Sequence, residues 1–157
     1  NCNAGFKGRK GTLYEGGIRV PFIVNQPGMV PIQTLDNLIY FPDMMPTLAA
    51  LAKGTKHLPK QINGINILPL FYGKQVDTDN RLLYWEFPGK QRAARKGDWK
   101  CVTIHPNQPL ELYNLKEDPE ETNNLAKKYP RRVKEFDEEM QRMHIPTPNW
   151  PQPGEQF

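Results

Sequence analysis

The chain contains no serine at all, which excludes a serine nucleophile and every triad built on one. Two cysteines, Cys2 and Cys101, stand in 157 residues, too few for a disulfide framework or for zinc spacing. Pairing in an oxidising compartment and two free thiols both stay open. The three histidines, His57, His105 and His144, are scattered through the chain, and no carboxylates have the spacing of a calcium loop. No apolar run approaches the roughly 18 residues that span a bilayer. No signal-peptide pattern is visible, and no internal repeat. The first residue is not Met and the motif-bearing stretch begins almost at once, so the chain is expected to be a piece of a longer one. The missing leader then says nothing about compartment.

What is present is a globular composition, 38% hydrophobic and 24% charged, with sixteen prolines that imply many loops. The net charge of +4 is mildly basic and does not by itself indicate nucleic acid; anionic substrates fit as well. The cations gather at Lys7/Arg9/Lys10, at Arg92/Arg95/Lys96 and at Lys127/Lys128/Arg131/Arg132. Arg9 and Lys10 of the first group lie in the densest stretch of the chain, Gly8–Pro21, which holds four glycines, three cations and Glu15. Gly11, Gly16 and Gly17 permit positive φ or close backbone approach. Lys10 is a compact cation suited to meeting an oxyanion as a point charge. Glu15 and Arg19, four apart, are expected to pair and pin the loop. Phe22–Val24 reads as a short buried strand ending at Pro27-Gly28.

Further along, Phe41–Gly54 reads as a helix with apolar residues at 41, 44/45, 48 and 51/52. Asp43 is its expected cap, and core packing its expected role rather than a Met-lined groove. Leu68, Leu70 and Phe71 are expected to tuck a loop onto the core. From residue 81 the pattern is an antiparallel meander: 81–87, 91–95, 99–104 and 110–115, with a turn signal at Gly97-Asp98. Asp118-Pro119-Glu120-Glu121 has the form of a helix start. A second helix, from about Arg131 to Met143, carries the stripe Val133, Phe136, Met140 and Met143. The Pro-rich end is expected to be extended. Trp85, Trp99 and Phe136 are expected inside. The division falls after residue 76, giving segments 1–76 and 77–157.

The run Lys10-Gly-Thr-Leu-Tyr-Glu-Gly-Gly-Ile-Arg-Val-Pro, followed by Phe-Ile-Val and Pro27-Gly28, closely resembles the sulfatase family of the alkaline-phosphatase-like superfamily. Tyr84–Phe87, Ala93–Val102 and Glu111–Ala126 match that family's C-terminal subdomain in the same order, so the resemblance covers most of residues 5–143. It implies an α+β architecture. Residues 1–76 would be the C-terminal remnant of an α/β alkaline-phosphatase-like domain. Residues 77–157 would form a small four-stranded antiparallel sheet with a packed C-terminal helix and a Pro-rich tail.

The resemblance also implies a chemistry. The lysine at the position of Lys10 contacts the substrate's sulfate group. A formylglycine made from a Cys-x-Pro-x-Arg motif is the nucleophile, and Asp and Asn side chains hold calcium. Cys2 and Cys101 both lack that motif, and no metal ligands are assigned to this chain. The expected parent is therefore a sulfuric ester hydrolase acting on sulfated carbohydrates, plausibly glycosaminoglycans, with the chain alone inactive. Lys10, Arg92 and Arg95 are the expected substrate contacts; Glu15, Gly16, Gly17 and Arg19 the loop supports. The expected partners are a sulfated small molecule or glycan and the upstream part of the same polypeptide, with neither nucleic acid nor membrane. The strand at Phe22–Val24 would leave an edge open to a second copy. The resemblance points to a periplasmic, extracellular or lysosomal-type compartment. Two rivals stand beside it: a phosphoester or phosphonate hydrolase on the same scaffold, and a non-catalytic polyanion-binding module.

Overall fold

In the computed structural model, residues 3–87, 91–149, 151 and 155–156 are described. The chain packs as two units: residues 1–20 with 81–157, and residues 21–80. This differs from the expected division after residue 76. The Gly-rich stretch packs with the C-terminal sheet.

The first unit is built on the meander that the alternating pattern predicts. Strands β1 (Leu82–Phe87), β2 (Gln91–Lys96), β3 (Trp99–Thr103) and β4 (Glu111–Asn114) pair antiparallel in the order β1-β2-β3-β4. Period-2 alternation gives the sheet two buried faces. On one, Ala93, Val102 and Tyr113 pack with Leu13, Tyr14 and Leu115. On the other, Ala94, Cys101 and Leu112 pack with Phe136 and Met140. Those last two side chains belong to the C-terminal helix Pro130–Met143, whose proline stands in the first turn. Trp85 and Trp99 are half-buried, packed at the edges of the two clusters. Trp99 is met edge-on by Tyr129 at 5.3 Å between ring centres.

The helix start read at Asp118 does not become a helix. Asp118 instead caps a turn, accepting from the N–H groups of Thr122 and Asn123 at 3.0 and 2.8 Å. Glu121 then takes φ +56°. That conformation leaves the right-handed helical basin and turns the Glu121 carboxylate inward.

The second unit is held by polar pins at the start of a helix. Besides the one-turn helix α1 (Glu15–Ile18) of the first unit, the chain forms α2 (Met44–Leu51), α3 (Leu68–Phe71) and, as above, α4 (Pro130–Met143). Asp43 stands at the N-cap position of α2, but its side chain caps the preceding turn, Phe41–Asp43, and not α2 itself. Its carboxylate accepts from the N–H groups of Tyr40 (3.0 Å) and Ile65 (2.9 Å). Thr47 Oγ1 donates to the Asp43 carbonyl at 2.6 Å and accepts from Ile67 N–H at 3.0 Å. Ile67 and Leu70 are buried beneath these pins, whereas Leu68 and Phe71 are half-buried.

Two expectations fail in this unit. Phe22–Val24 is not a strand, and Ile23 is 86% exposed. A strand needs a ladder partner, and among the described residues all four strands belong to the sheet of the other unit. The apolar stripe of α2 also stays open: Phe41, Met45, Leu48 and Leu51 are exposed. Met44, Leu48 and Leu51 instead line an apolar groove of about 400 Å³ with Phe22, Ile23 and Phe71.

Candidate functional site

Lys10 sits on a turn fastened from both ends. Thr12 N–H donates to the Arg9 carbonyl at 3.0 Å, and Gly11 supplies the positive φ, +92°, that the turn needs. Thr12 Oγ1 donates to the same carbonyl at 2.9 Å and accepts from Arg9 N–H at 3.2 Å. From β2, the Gln91 amide donates to the Gly11 carbonyl at 2.9 Å and accepts from Leu13 N–H at 3.2 Å. The backbone on either side of Lys10 is thus fixed. Its side chain is exposed and has no hydrogen bond or ion pair among the described residues.

Beneath the turn, the backbone folds onto itself at α1. A Cβ at Gly17 would lie 2.0 Å from the Thr12 carbonyl oxygen, and one at Gly16 would lie 2.5 Å from that of Lys7. Both expected loop positions therefore hold glycine for close approach, with φ outside the positive region.

Glu15, expected to pair with Arg19, does lie within 3.9 Å of it, but its strongest partner is elsewhere. Glu15 is 3% exposed, and its Oε1 accepts from Lys100 Nζ at 2.8 Å. Arg95 approaches its other oxygen at 3.7 Å. Lys100, fully buried on β3, also stands 2.9 Å from Glu121 Oε1, an ion pair outside hydrogen-bond alignment. Glu121 Oε2 accepts from the Glu15 N–H at 2.6 Å. One buried ammonium thus ties α1 to the turn after β4. Burial pushes the Glu121 carboxyl above its ordinary range, against the pull of Lys100 and the Glu15 N–H.

A second cluster closes the other side of the loop. Lys7 Nζ donates to Tyr113 OH at 2.7 Å and to Glu111 Oε2 at 3.1 Å. Tyr14 and Tyr113 donate to the same Glu111 oxygen at 2.8 and 2.5 Å. Burial works against the Glu111 charge, but these three donors hold its carboxyl below the usual range. Burial and the adjacent Glu111 charge push both phenols up, out of reach of neutral-pH ionisation.

Arg92 and Arg95, expected to meet one sugar, are not brought together. Three apart on β2, they point to opposite faces of the sheet. Arg92 pairs with Asp137 of α4 at 3.4 Å, while Arg95 reaches Glu15 and donates to the Gly97 carbonyl at 3.0 Å. The β1–β2 connection at 88–90 lies outside the described residues, as does Cys2. The sequence assigns Lys100, Glu121 and Gln91 to strands and a helix start, and not to the support of the loop. The available signal was a lysine between Trp99 and Cys101-Val102, in a strand whose two faces are both apolar.

Neither cofactor implied by the resemblance fits the residues at hand. Among the described residues no three His, Cys, Asp or Glu side chains are grouped to hold a metal ion. Cys101 is buried, and desolvation with the nearby Asp137 charge pushes its thiol up to about 12.

Known proteins place this arrangement. A protein of Formosa agariphila named Sulfatase is 32% identical over 154 residues, covering 82% of this chain and 28% of its own. Arylsulfatase K of Gallus gallus is 30% identical over 143 residues, covering 82% of this chain and 26% of its own. Among solved structures, Ps i-CgsB superposes with a TM-score of 0.78 at 25% identity, over 93% of this chain and 34% of that one. It has also been solved in complex with k-i-k-neocarrahexaose. A Bacteroides thetaiotaomicron chain, from work on the metabolism of multiple glycosaminoglycans, gives a TM-score of 0.75 at 28% identity, over 88% and 32%. The fold is thus that of the C-terminal portion of alkaline-phosphatase-like sulfatases. The chain belongs to the family described as N-sulphoglucosamine sulphohydrolase, C-terminal, whose model matches residues 6–145. It spans between a quarter and about a third of the length of these relatives.

Proposed function

We propose that this chain serves as the C-terminal part of a sulfatase that hydrolyses sulfate esters of carbohydrates, with glycosaminoglycan-type chains as the substrate class. Lys10 meets the sulfate group. The observation that carries this reading is the fixed turn Arg9–Thr12, which presents an exposed, unpartnered cation on an immobilised backbone. Hydrolysis breaks an S–O bond while negative charge builds on the sulfonyl and leaving-group oxygens. A cation presented there lowers that barrier by stabilising the charge as it appears, and the fixed backbone limits how far the side chain must be repositioned.

In this reading the nucleophile, a formylglycine, and the calcium ion belong to an upstream part of the same polypeptide. The residues present here bind and orient. Glu15, Gly16, Gly17 and Arg19 hold the loop, with Lys100 and Glu121 beneath it. Arg95 serves the same support through Glu15, and Arg92 is the arginine left for a sugar. A secretory-type compartment suits such a parent. No helix among the described residues is long and apolar enough to cross a membrane.

The test uses the full-length parent and an activated aryl sulfate. Lys10→Ala should lower turnover by about 100-fold or more, the usual loss for one transition-state donor, with unchanged circular dichroism. The 157-residue chain alone should show no turnover above buffer. Full activity of the Lys10→Ala parent, or turnover by the isolated chain, would show the site misplaced. Faster cleavage of an aryl phosphate would favour the phosphoester hydrolase.

A further inference from the structure

We propose that the surface around Tyr129 is a second binding site, separate from the Lys10 turn, for the sulfated run of a glycan chain. The ligand's identity as a glycan rests on the sulfatase reading above; the anion chemistry does not.

Lys127, Lys128, Arg131 and Arg132 fall within six consecutive residues, and all four are exposed. Among the described residues none of them forms an ion pair. The contrast with the rest of α4 is direct. Lys134 pairs with Glu138 at 3.8 Å, and Arg142 is paired with Glu139 at 2.5 Å. Two of the four cations near its start lie over aromatic faces instead. The Arg132 guanidinium lies 4.4 Å from the centre of the Trp99 ring, and Lys128 Nζ lies 5.4 Å from that of Tyr129. An aromatic face attracts and orients a cation without neutralising it. At Lys128 and Arg132 the positive charge is therefore oriented and left available.

The surface is also concave. Lys128, Tyr129, Arg131, Arg132 and Glu135 line an open trough of about 370 Å³. A sulfated sugar presents what this lining takes. Its sulfate oxygens accept from Lys as a point charge and from Arg as a fork. Its C–H face packs on an aromatic ring such as Tyr129. Glu135 is the one acid in the lining; it repels an anion and sets a limit on affinity. A chain held here would be kept near the protein between turnovers, adding a linked contact to whatever the reacting end makes.

The test is a titration of the ¹⁵N-labelled 157-residue chain with a heparin-derived hexasaccharide, at two salt concentrations. Amides of residues 127–133 and the Trp99 indole N–H should shift, and binding should weaken with salt, because exposed charges are screened. Arg131→Glu with Arg132→Glu should weaken binding about tenfold or more, two exposed pairs being turned into repulsions. Glu135→Gln should tighten it, a gain that no loss of structure produces. Lys10→Ala should leave these shifts unchanged, so failure here is told apart from failure of the sulfatase reading, which the aryl sulfate assay decides. Three results would overturn the proposal: no shift at 127–133, equal binding of the unsulfated hexasaccharide, or tighter binding of single-stranded DNA of matched charge.

Discussion

The two packing units end in opposite conditions. In the first, the sheet is covered on both faces, by the Gly-rich stretch on one and α4 on the other, and its buried charges have partners. In the second, the polar groups are satisfied by Asp43, Thr47 and Thr78, but the apolar stripe of α2 is bare. Hydrophobic burial normally dominates stability, with hydrogen bonds adding modest net amounts. The second unit reverses this order: its described shape is specified by polar pins, while large apolar side chains face outward. The same chain thus holds one unit whose core is complete and one whose apolar surface is not enclosed by its own residues.

The sharpest way to break the contrast is to remove Lys100. Lys100→Met deletes the ammonium between two buried carboxylates and should destabilise the first unit by about 3–5 kcal/mol, the usual penalty for an uncompensated buried charge. The loss should depend on pH. The Glu121 carboxyl is already raised in the folded state, and without Lys100 it rises further. A folded value above the unfolded one gives stability that is full below the unfolded pKa, about 4.3 for Glu, and lost as pH climbs through the folded value. The variant should therefore recover at acidic pH relative to its stability at pH 8, by chemical denaturation. An equal deficit at both would mean that packing volume is what was lost.

The next test sets one methionine against one leucine. Met140 is fully buried on the sheet and Leu48 is exposed. Met140→Ala should cost about 2–5 kcal/mol through transfer and cavity terms, and Leu48→Ala no more than about 0.5 kcal/mol, like other surface changes. If Leu48→Ala proved as costly in the isolated chain, the stripe of α2 would be covered in solution. A smaller effect than that of Met140 is expected at Gly17. There Ala forces a Cβ into the Thr12 carbonyl, and backbone adjustment of this kind costs about 1–3 kcal/mol. Gly11→Ala, with open space around it but φ +92°, should cost about 1–2 kcal/mol by the left-handed penalty alone.

These sites also mark what the sequence disclosed. The four strands and α4 were legible, since alternation, the Gly97-Asp98 turn and the stripe at Phe136 and Met140 are local signals. So was the Gly-rich loop. Phe22–Val24 has strand composition, but a strand exists only with a partner, and no local pattern names one. Asp118-Pro119-Glu120 has helix-start composition. Glu121, however, gains more by carrying its carboxylate to Lys100 and Glu15 N–H than by continuing a helix. That pairing spans 21 positions and leaves no periodic trace. Lys10 was legible as a residue of interest; the Gln91 clamp that fixes its turn reaches across from β2 and was not.

The smallest expected effect concerns the end of the first unit. His144 follows the last turn of α4, with Nδ1 2.5 Å from Glu86 Oε1 and Nε2 2.6 Å from Glu155 Oε1. Tyr84 OH also donates to Glu86, and Arg92 adds positive charge beside that phenol. Burial disfavours the imidazolium, but the two carboxylates outweigh it, and the His144 pKa is raised. A raised folded value means stabilisation fully present below the unfolded value, about 6.5, and lost as pH rises through the folded one. The clasp therefore fastens Glu155 to β1 in mildly acidic solution and lets go in alkali. Amide hydrogen exchange at Glu155 and Gln156 should accelerate, beyond its intrinsic pH dependence, as His144 deprotonates, while exchange in β2 and β3 stays slow. His144→Gln should remove that step and leave the global unfolding midpoint within a degree or two of the parent chain's. An imidazole that titrates at or below about 6.5 in a proton NMR titration would show that the two carboxylates do not hold it.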